Sequence, residues 1–262
     1  MRRIKRTPDF EISIEIKNDR FLAPPREAQR SWLLGRAVAE LASDLQALDR
    51  LAETFVPGQE GVPTHDRAQA ALSDQEIMED WQFPIMRAMA DIVTESRGDV
   101  LEVGFGRGIS AEYIQERGVR SHSIIECNDT VVDRFRSWRS RYPDRDIRLV
   151  HGRWQDVIDQ LGRYDGVFFH TYPLNEEEIV EHVVRSTTFA EHFFPTGAAL
   201  LKEGGVFTYL TNEIDSFSRE HQRLLFRHFR SITLRIVSPL RLPADLKDAW
   251  WADSMVVARA EK

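Results

Sequence analysis

Several things are scarce in this sequence, and each scarcity excludes a class. Cys127 is the only cysteine among 262 residues. No intrachain disulfide can form, which excludes a disulfide-stapled secreted scaffold and fits a reducing compartment, with the cytoplasm as the default. No apolar run approaches the roughly 20 residues that span a bilayer, so no membrane partner is expected. Cationic side chains are in the minority, with 35 Lys and Arg against 42 Asp and Glu and a net charge of −7. Nucleic-acid binders carry a basic surplus that displaces counterions from phosphates, so DNA or RNA is disfavoured as the main partner. The basic opening Met1-Arg2-Arg3-Ile4-Lys5-Arg6 runs into Thr7-Pro8-Asp9 rather than an apolar stretch, so no signal peptide is expected. His65, His122, His151, His182, His192, His221 and His228 show no metal-ligand spacing, and no metal is expected. Internal repeats and low-complexity segments are missing too.

What is present is ordinary for a globular chain: 42% apolar and 29% charged residues, enough for one large domain with or without an extension. Residues 10–16 alternate Phe10, Ile12, Ile14 and Ile16 with Glu11, Ser13 and Glu15, the period of a half-buried strand. After Pro24-Pro25, a long helix is expected from about Arg26 to Phe55. Its Leu34, Val38, Leu41, Leu45, Leu48, Ala52 and Phe55 recur at alternating spacings of four and three. That seam suits either packing on the main domain or a homodimer interface. Residues 57–66 read as a loop. Ser73 with Glu76 forms a capping box, starting a helix near Asp74 that Pro84 interrupts or restarts and that ends near Gly98. Residues 1–72 are therefore taken as an N-terminal extension, a lid or dimer arm, and residues 73–262 as the main domain.

From Asp99 the rhythm becomes strand, loop, helix, repeated. Strands are expected at Val100–Val103, Ser121–Glu126, Ile147–His151, Asp165–His170, Val206–Leu210, Ile232–Val237 and Met255–Ala260. Helices are expected after Gly108, over 129–141 and over 176–201, where Glu176-Glu177-Glu178 form an acidic first turn. The fold class is α/β: a doubly wound, Rossmann-like, seven-stranded and mostly parallel sheet covered on both faces.

Three motifs carry chemistry, in a fixed order. Leu101-Glu102-Val103-Gly104-Phe105-Gly106-Arg107-Gly108 is a glycine loop leaving the first of these strands. Its spacing is not the G-x-G-x-x-G of dinucleotide sites, and Glu102 ahead of the glycines points to S-adenosylmethionine (SAM). Ile124-Ile125-Glu126-Cys127-Asn128 ends the second strand with an acid about 20 residues on, where a carboxylate grips a ribose diol. Gly152-Arg153-Trp154-Gln155-Asp156 follows the third, with Trp154 as an adenine wall and Gln155 as an edge partner. Any one of these motifs has a bland alternative: a tight turn, a helix cap, a core tryptophan. Their order is what distinguishes the set.

These motifs, with Ile77-Met78-Glu79-Asp80-Trp81-Gln82-Phe83-Pro84-Ile85-Met86, Thr171-Tyr172-Pro173-Leu174 and Leu201-Lys202-Glu203-Gly204-Gly205-Val206-Phe207-Thr208-Tyr209, resemble the guanidinoacetate N-methyltransferase family over roughly residues 76–210. The resemblance implies a class I methyltransferase fold with SAM as cofactor. It implies a SAM pocket made by Met78, Met86, the 104–110 loop, Glu126 and the Trp154-Gln155 pair. It also implies two carboxylates on the guanidine substrate, at the positions that here hold Gln82 and His170. A guanidinium wants a forked carboxylate, and stripping the partner from a buried ion pair costs about 3–5 kcal/mol, so guanidinoacetate is not expected as the substrate. Glu213 and Asp215, after the fifth strand, are either a compensating acid at a shifted position or a solvated loop.

His170 is expected at the strand ends where a methyl donor and acceptor meet, as a general base with a pKa near neutrality or as a hydrogen-bond partner of a neutral acceptor. Tyr172 and Thr171 are candidates to orient the acceptor, and Trp81 and Tyr172 to meet the sulfonium by cation–π attraction. Trp250-Trp251 reads equally as a pocket wall or as core. The expected activity is SAM-dependent methylation of a nitrogen on a small amine or amino-acid-like molecule. The alternatives are O-methylation of a hydroxyl or carboxyl group and a SAM-binding protein without catalysis. Propylamine transfer would want extra acids around the donor, which the sequence lacks.

Overall fold

A computed structural model describes residues 3–6, 12–17, 67–211, 213–243 and 253–262. The helix expected over 26–55 and its seam lie outside the described residues, as do Trp250 and Trp251. The described strands are β1 (Arg3–Arg6), β2 (Ile12–Lys17), β3 (Asp99–Val103), β4 (Ser121–Glu126), β5 (Ile147–His151), β6 (Tyr164–Phe169), β7 (Leu201–Tyr209), β8 (Ser231–Val237) and β9 (Met255–Glu261). They form one sheet in the order β1-β2-β8-β9-β7-β6-β3-β4-β5. The five strands from β7 to β5 run parallel, while β9, β8, β2 and β1 pair antiparallel. All seven strands expected from Asp99 onward are present. The strand expected over 10–16 is described from Ile12 onward as β2, which pairs with the edge of β8 and carries the unanticipated β1 on its outer side.

The helices are α1 (Asp74–Ile77), α2 (Phe83–Val93), α3 (Ile109–Glu116), α4 (Asp129–Arg139), α5 (Trp154–Val157), α6 (Glu176–Ile179), α7 (Phe194–Leu200) and α8 (Arg219–Leu225). The Ser73–Glu76 capping box forms as expected, and Pro84 opens α2 in its first turn, where a missing N–H costs nothing. The single helix expected over 176–201 is instead three pieces. A π-helical turn at Val180–Val184 follows α6, and a 3-10 turn at Phe189–Phe193 precedes α7. Thr188 between them is extended, and the Thr187 N–H donates to the Glu191 carboxylate at 3.0 Å, a local bond that competes with helix continuation. Helix α8 was not anticipated. It starts at Ser218, whose hydroxyl caps the His221 N–H.

Both sheet faces are covered. On one, α2 lays Ile85, Met86, Met89 and Val93 over Val100, Phe168 and Val257. On the other, Phe193, Phe194 and Leu225 pack on Val167, Phe169, Phe207 and Tyr209. β3 is bonded to β4 on one side and to β6 on the other, so strand order reverses there. In an open α/β sheet that reversal opens a crevice beyond the carboxyl ends of the two strands. Here those ends deliver Gly104 and His170 to the same place.

Candidate active site

The glycine loop and the segment after β6 are pressed together. The His170 N–H donates to the Val103 carbonyl at 3.1 Å, and a Cβ on Gly104 (φ +92°) would stand 2.2 Å from the His170 carbonyl oxygen. Only glycine tolerates both that approach and that φ. Gly108, at φ +76°, hands the loop to α3.

Glu126, at the end of β4, anchors this loop. One carboxylate oxygen accepts the N–H groups of Phe105 (3.0 Å) and Gly106 (3.3 Å), and the other accepts those of Cys127 (2.8 Å) and Asn128 (2.9 Å). A carboxylate free to take a diol was expected. Instead four backbone donors occupy it, so any diol arriving here must share or displace them.

Two lobes of one crevice meet at this point. The first is lined by Met78, Gly104, Phe105, Gly106, Arg107, Ser110, Glu126, Cys127, Asn128, His170, Thr171 and Tyr172, together with Arg67, Leu72, Ile77 and Leu174. The second adds Trp154, Gln155, Glu178, Phe189 and His192 and shares Gly104, Glu126, Cys127, Thr171, Tyr172 and Leu174 with the first. Trp154 sits edge-on to Phe193 at 5.0 Å, which sets its ring as a wall. Arg107 ties the loop to the segment opposite, donating to the Met78 carbonyl (2.8 Å) and to Asp80 (2.7 Å). Asn128 caps α4 through its side-chain oxygen, and its amide donates to the carbonyls of Arg67 (2.6 Å) and Ala70 (2.8 Å). Its side chain thus holds the rim rather than a ligand. No motif marks Arg67 in the sequence, because chain folding alone brings it to the lobe, while Leu174 closes the Thr171-Tyr172-Pro173-Leu174 motif.

The structure does not bring every expected residue to the crevice. Met86 is fully buried in the core against the sheet and offers no surface to a cofactor, because α2 turns it toward Val100 and Phe168. Glu102 is fully buried too. It accepts the Ser110 hydroxyl and faces His122 Nε2 at 3.1 Å, so it steadies the first turn of α3 from beneath. Gly108 shapes the loop without lining either lobe. Trp81 lines a separate acidic groove with Asp74, Glu79, Asp80, Arg107 and Arg241, and its indole N–H donates to Glu79 at 2.6 Å. Glu213 lies past β7 with its carboxylate taken by His221 at 3.2 Å. Among the described residues, no cluster of His, Cys, Asp or Glu is placed to hold a metal, and no helix is long and apolar enough to cross a membrane.

The acceptor side is built on Gln82, His170 and Tyr172. Gln82 is buried and its side chain hydrogen-bonds to Tyr172, whose phenol titrates above its ordinary value and is protonated at neutral pH. The rings of His170 and Tyr172 lie 5.6 Å apart, edge to face. Gln82 Oε1 and His170 Nε2 are both buried without a hydrogen-bond partner. Burial pushes the His170 pKa down to about 4, not the near-neutral value expected, so at pH 7 the ring is uncharged and a weak base.

A family model described as guanidinoacetate N-methyltransferase matches residues 59–222. Among curated relatives, protein arginine N-methyltransferase 2 of Eremothecium gossypii is 28% identical over 144 residues, covering 51% of this chain and 32% of its own. The protein of the same description from Yarrowia lipolytica is 31% identical over 145 residues, covering 51% and 28%. The chain therefore spans about a third of the length of these relatives. Among solved structures, a putative SAM-dependent methyltransferase from Streptococcus mutans superposes with a TM-score of 0.49 at 13% identity, over 71% of this chain and 50% of its own. With the model match running through the capping box, the glycine loop, Glu126 and His170 and extending over more than half of the sequence, the chain belongs to the guanidinoacetate N-methyltransferase family, among the class I SAM-dependent methyltransferases.

Proposed function

We propose that this chain transfers a methyl group from SAM to a nitrogen of a small amine or amino-acid-like molecule, and that guanidinoacetate is not its substrate. The reading rests on the pair of buried, unpartnered acceptors, Gln82 Oε1 and His170 Nε2, at the two positions where the family presents carboxylates. A neutral pair suits the N–H groups of an uncharged nitrogen. It does not suit a guanidinium, whose charge would be buried without a counterion.

The crevice fits SAM. Its two lobes meet at Glu126, where a ribose diol would share the carboxylate with the backbone donors, with the Trp154-Gln155 lobe for the adenine and the glycine-loop lobe for the methionine portion. When bound, SAM supplies an electrophilic methyl group on a sulfonium. The chain's own contribution is to present the acceptor nitrogen in its neutral form. A buried site without a counterion penalises an ammonium by desolvation, lowering the pKa of a bound amine and leaving its lone pair free. Gln82 Oε1 and His170 Nε2 then accept its N–H groups and aim that lone pair. His170 acts as a hydrogen-bond acceptor rather than a strong base, and Tyr172 fixes Gln82. This positioning is a proximity effect, realised by orientation more than by proton transfer.

A second reading comes from the relatives described as protein arginine N-methyltransferase 2, which would put an arginine of a protein at this site. One experiment separates the possibilities: methyl-labelled SAM incubated with pooled amines, amino acids, guanidines, hydroxy acids and arginine-rich peptides, read by mass spectrometry. Label on an amine nitrogen is the expected result. Label only on peptide arginine, or only on oxygen, replaces the substrate assignment. Binding of SAM with no label transferred points to a binding protein, and no binding at millimolar SAM or S-adenosylhomocysteine (SAH) refutes the reading.

A further inference from the structure

We propose that His192 selects the purine of the methyl donor, its Nε2 accepting a hydrogen bond from the 6-amino group of the adenine. This rests on the reading of the second lobe as the adenine site. His192 lines that lobe with Trp154, Gln155 and Phe189.

The ring is clamped by its neighbours. His182 stacks on it with centroids 4.1 Å apart and planes 14° from parallel. Phe189 and Phe169 meet it edge to face at 4.9 and 5.9 Å, and Trp154 stands 5.7 Å away. Nδ1 lies 2.5 Å from the Phe189 carbonyl oxygen. A carbonyl only accepts, so Nδ1 carries the hydrogen. Burial, followed by the neighbouring His182, pushes the pKa down to about 4. At pH 7 the ring is therefore neutral, and Nε2 holds a lone pair. Nε2 lies on the edge of the imidazole turned away from the Phe189 carbonyl. It takes no hydrogen bond among the described residues and is not sealed from solvent, unlike the buried Nε2 of His170.

This is a fixed acceptor on the wall of a lobe where a purine edge must find partners. Gln155, the other polar side chain there for the base edge, is exposed, and its amide can turn to offer either its oxygen or its NH2. It serves a 6-amino or a 6-oxo purine alike. His192 has no such freedom, because turning the ring over would leave the Phe189 carbonyl facing a carbon. A 6-amino group donates to Nε2, whereas a 6-oxo group sets two lone pairs against each other. Packing alone needs no nitrogen at this wall and would be served by phenylalanine.

The test compares SAH with its 6-oxo analogue, S-inosylhomocysteine, by calorimetry. The parent should bind SAH at least about tenfold more tightly, one hydrogen bond gained against one left unmade. His192→Phe keeps the ring stack and removes the acceptor. SAH should then weaken about tenfold while the analogue does not, and the preference should vanish. His192→Gln, whose amide can turn either way, should also bind the two alike. In the parent, nitrogen-15 spectra should show the neutral Nδ1–H tautomer of His192 and a shift of its Nε2 resonance on adding SAH. Equal affinities in the parent, an unchanged preference in His192→Phe or an Nε2–H tautomer overturns the assignment, and the parent measurements decide it even where a variant does not fold. Absence of any SAH binding refutes the donor site itself, whereas SAH binding without a purine preference refutes only the role of His192.

Discussion

Glu126 is the residue whose replacement most directly tests how the donor lobe is assembled. Glu126→Gln keeps the shape and removes one acceptor oxygen and the charge. The amide can offer its oxygen to Phe105 and Gly106 or to Cys127 and Asn128, but its NH2 then faces the other two N–H donors. An unpaired buried donor costs about 1–3 kcal/mol. Gly106 and Cys127 are only half-buried and recover part of this from water, so a loss of about 2 kcal/mol in folding stability is expected. The donor loses more, because hydroxyl bonds to a carboxylate are the charge-assisted kind, and a rise in SAM Kd of roughly 10–100-fold follows. Urea denaturation, calorimetry with SAM and SAH, and amide exchange at Phe105 and Gly106 report the three consequences separately. If the variant kept parental donor affinity and parental protection at those two amides, the account of Glu126 as loop anchor and ribose partner would be wrong.

Acid should destabilise the protein through His170. Its folded pKa is depressed to about 4 while the unfolded chain titrates near 6.5, so the unfolded state binds more protons between those values. Stability is complete above pH 6.5 and declines as pH falls toward 4, by up to about 3 kcal/mol from this residue. His170→Gln should flatten the difference in urea midpoint between pH 7.5 and 4.5, and an unchanged acid loss would refute the assignment. Gly104→Ala drives a Cβ to 2.2 Å from the His170 carbonyl and should leave little folded protein, read as a collapse of soluble yield and of the thermal transition. Asn128→Ala removes the α4 cap and both tethers to residues 67–70, for a loss of about 1–2 kcal/mol and faster proteolysis near Arg67.

Local pattern carried much of the fold. β3 and β6 are mostly apolar and bury nearly every residue, as central strands covered on both faces do. The break in the helix expected over 176–201 was harder to read, because the Thr187–Glu191 bond and the π turn compete with helix geometry by margins that composition does not reveal. Among the lining residues, Gly104, Gly106, Glu126, Trp154 and Gln155 were legible because each sits at a fixed offset from a strand end, whereas Met78 came from the family resemblance alone. Met86 and Glu102 were misplaced for one reason. A strand or helix position fixes which face a side chain takes, but not whether a ligand or the core occupies that face.

The sequence by itself determined the parallel sheet, the glycine loop and the acid about 20 residues beyond it, features that depend on neighbours along the chain and on residue type. That Gln82 and His170 stand where carboxylates would be expected is what the family resemblance implies. Only the tertiary structure decided the charge state and partners of these groups. Packing beneath Tyr172 left Gln82 Oε1 and His170 Nε2 buried and unpartnered, burial pushed His170 down to about 4, and the approach of α8 to β7 linked Tyr209, His221 and Glu213. Hydrogen bonding and desolvation act through space between segments distant in the chain, and no local spacing encodes them.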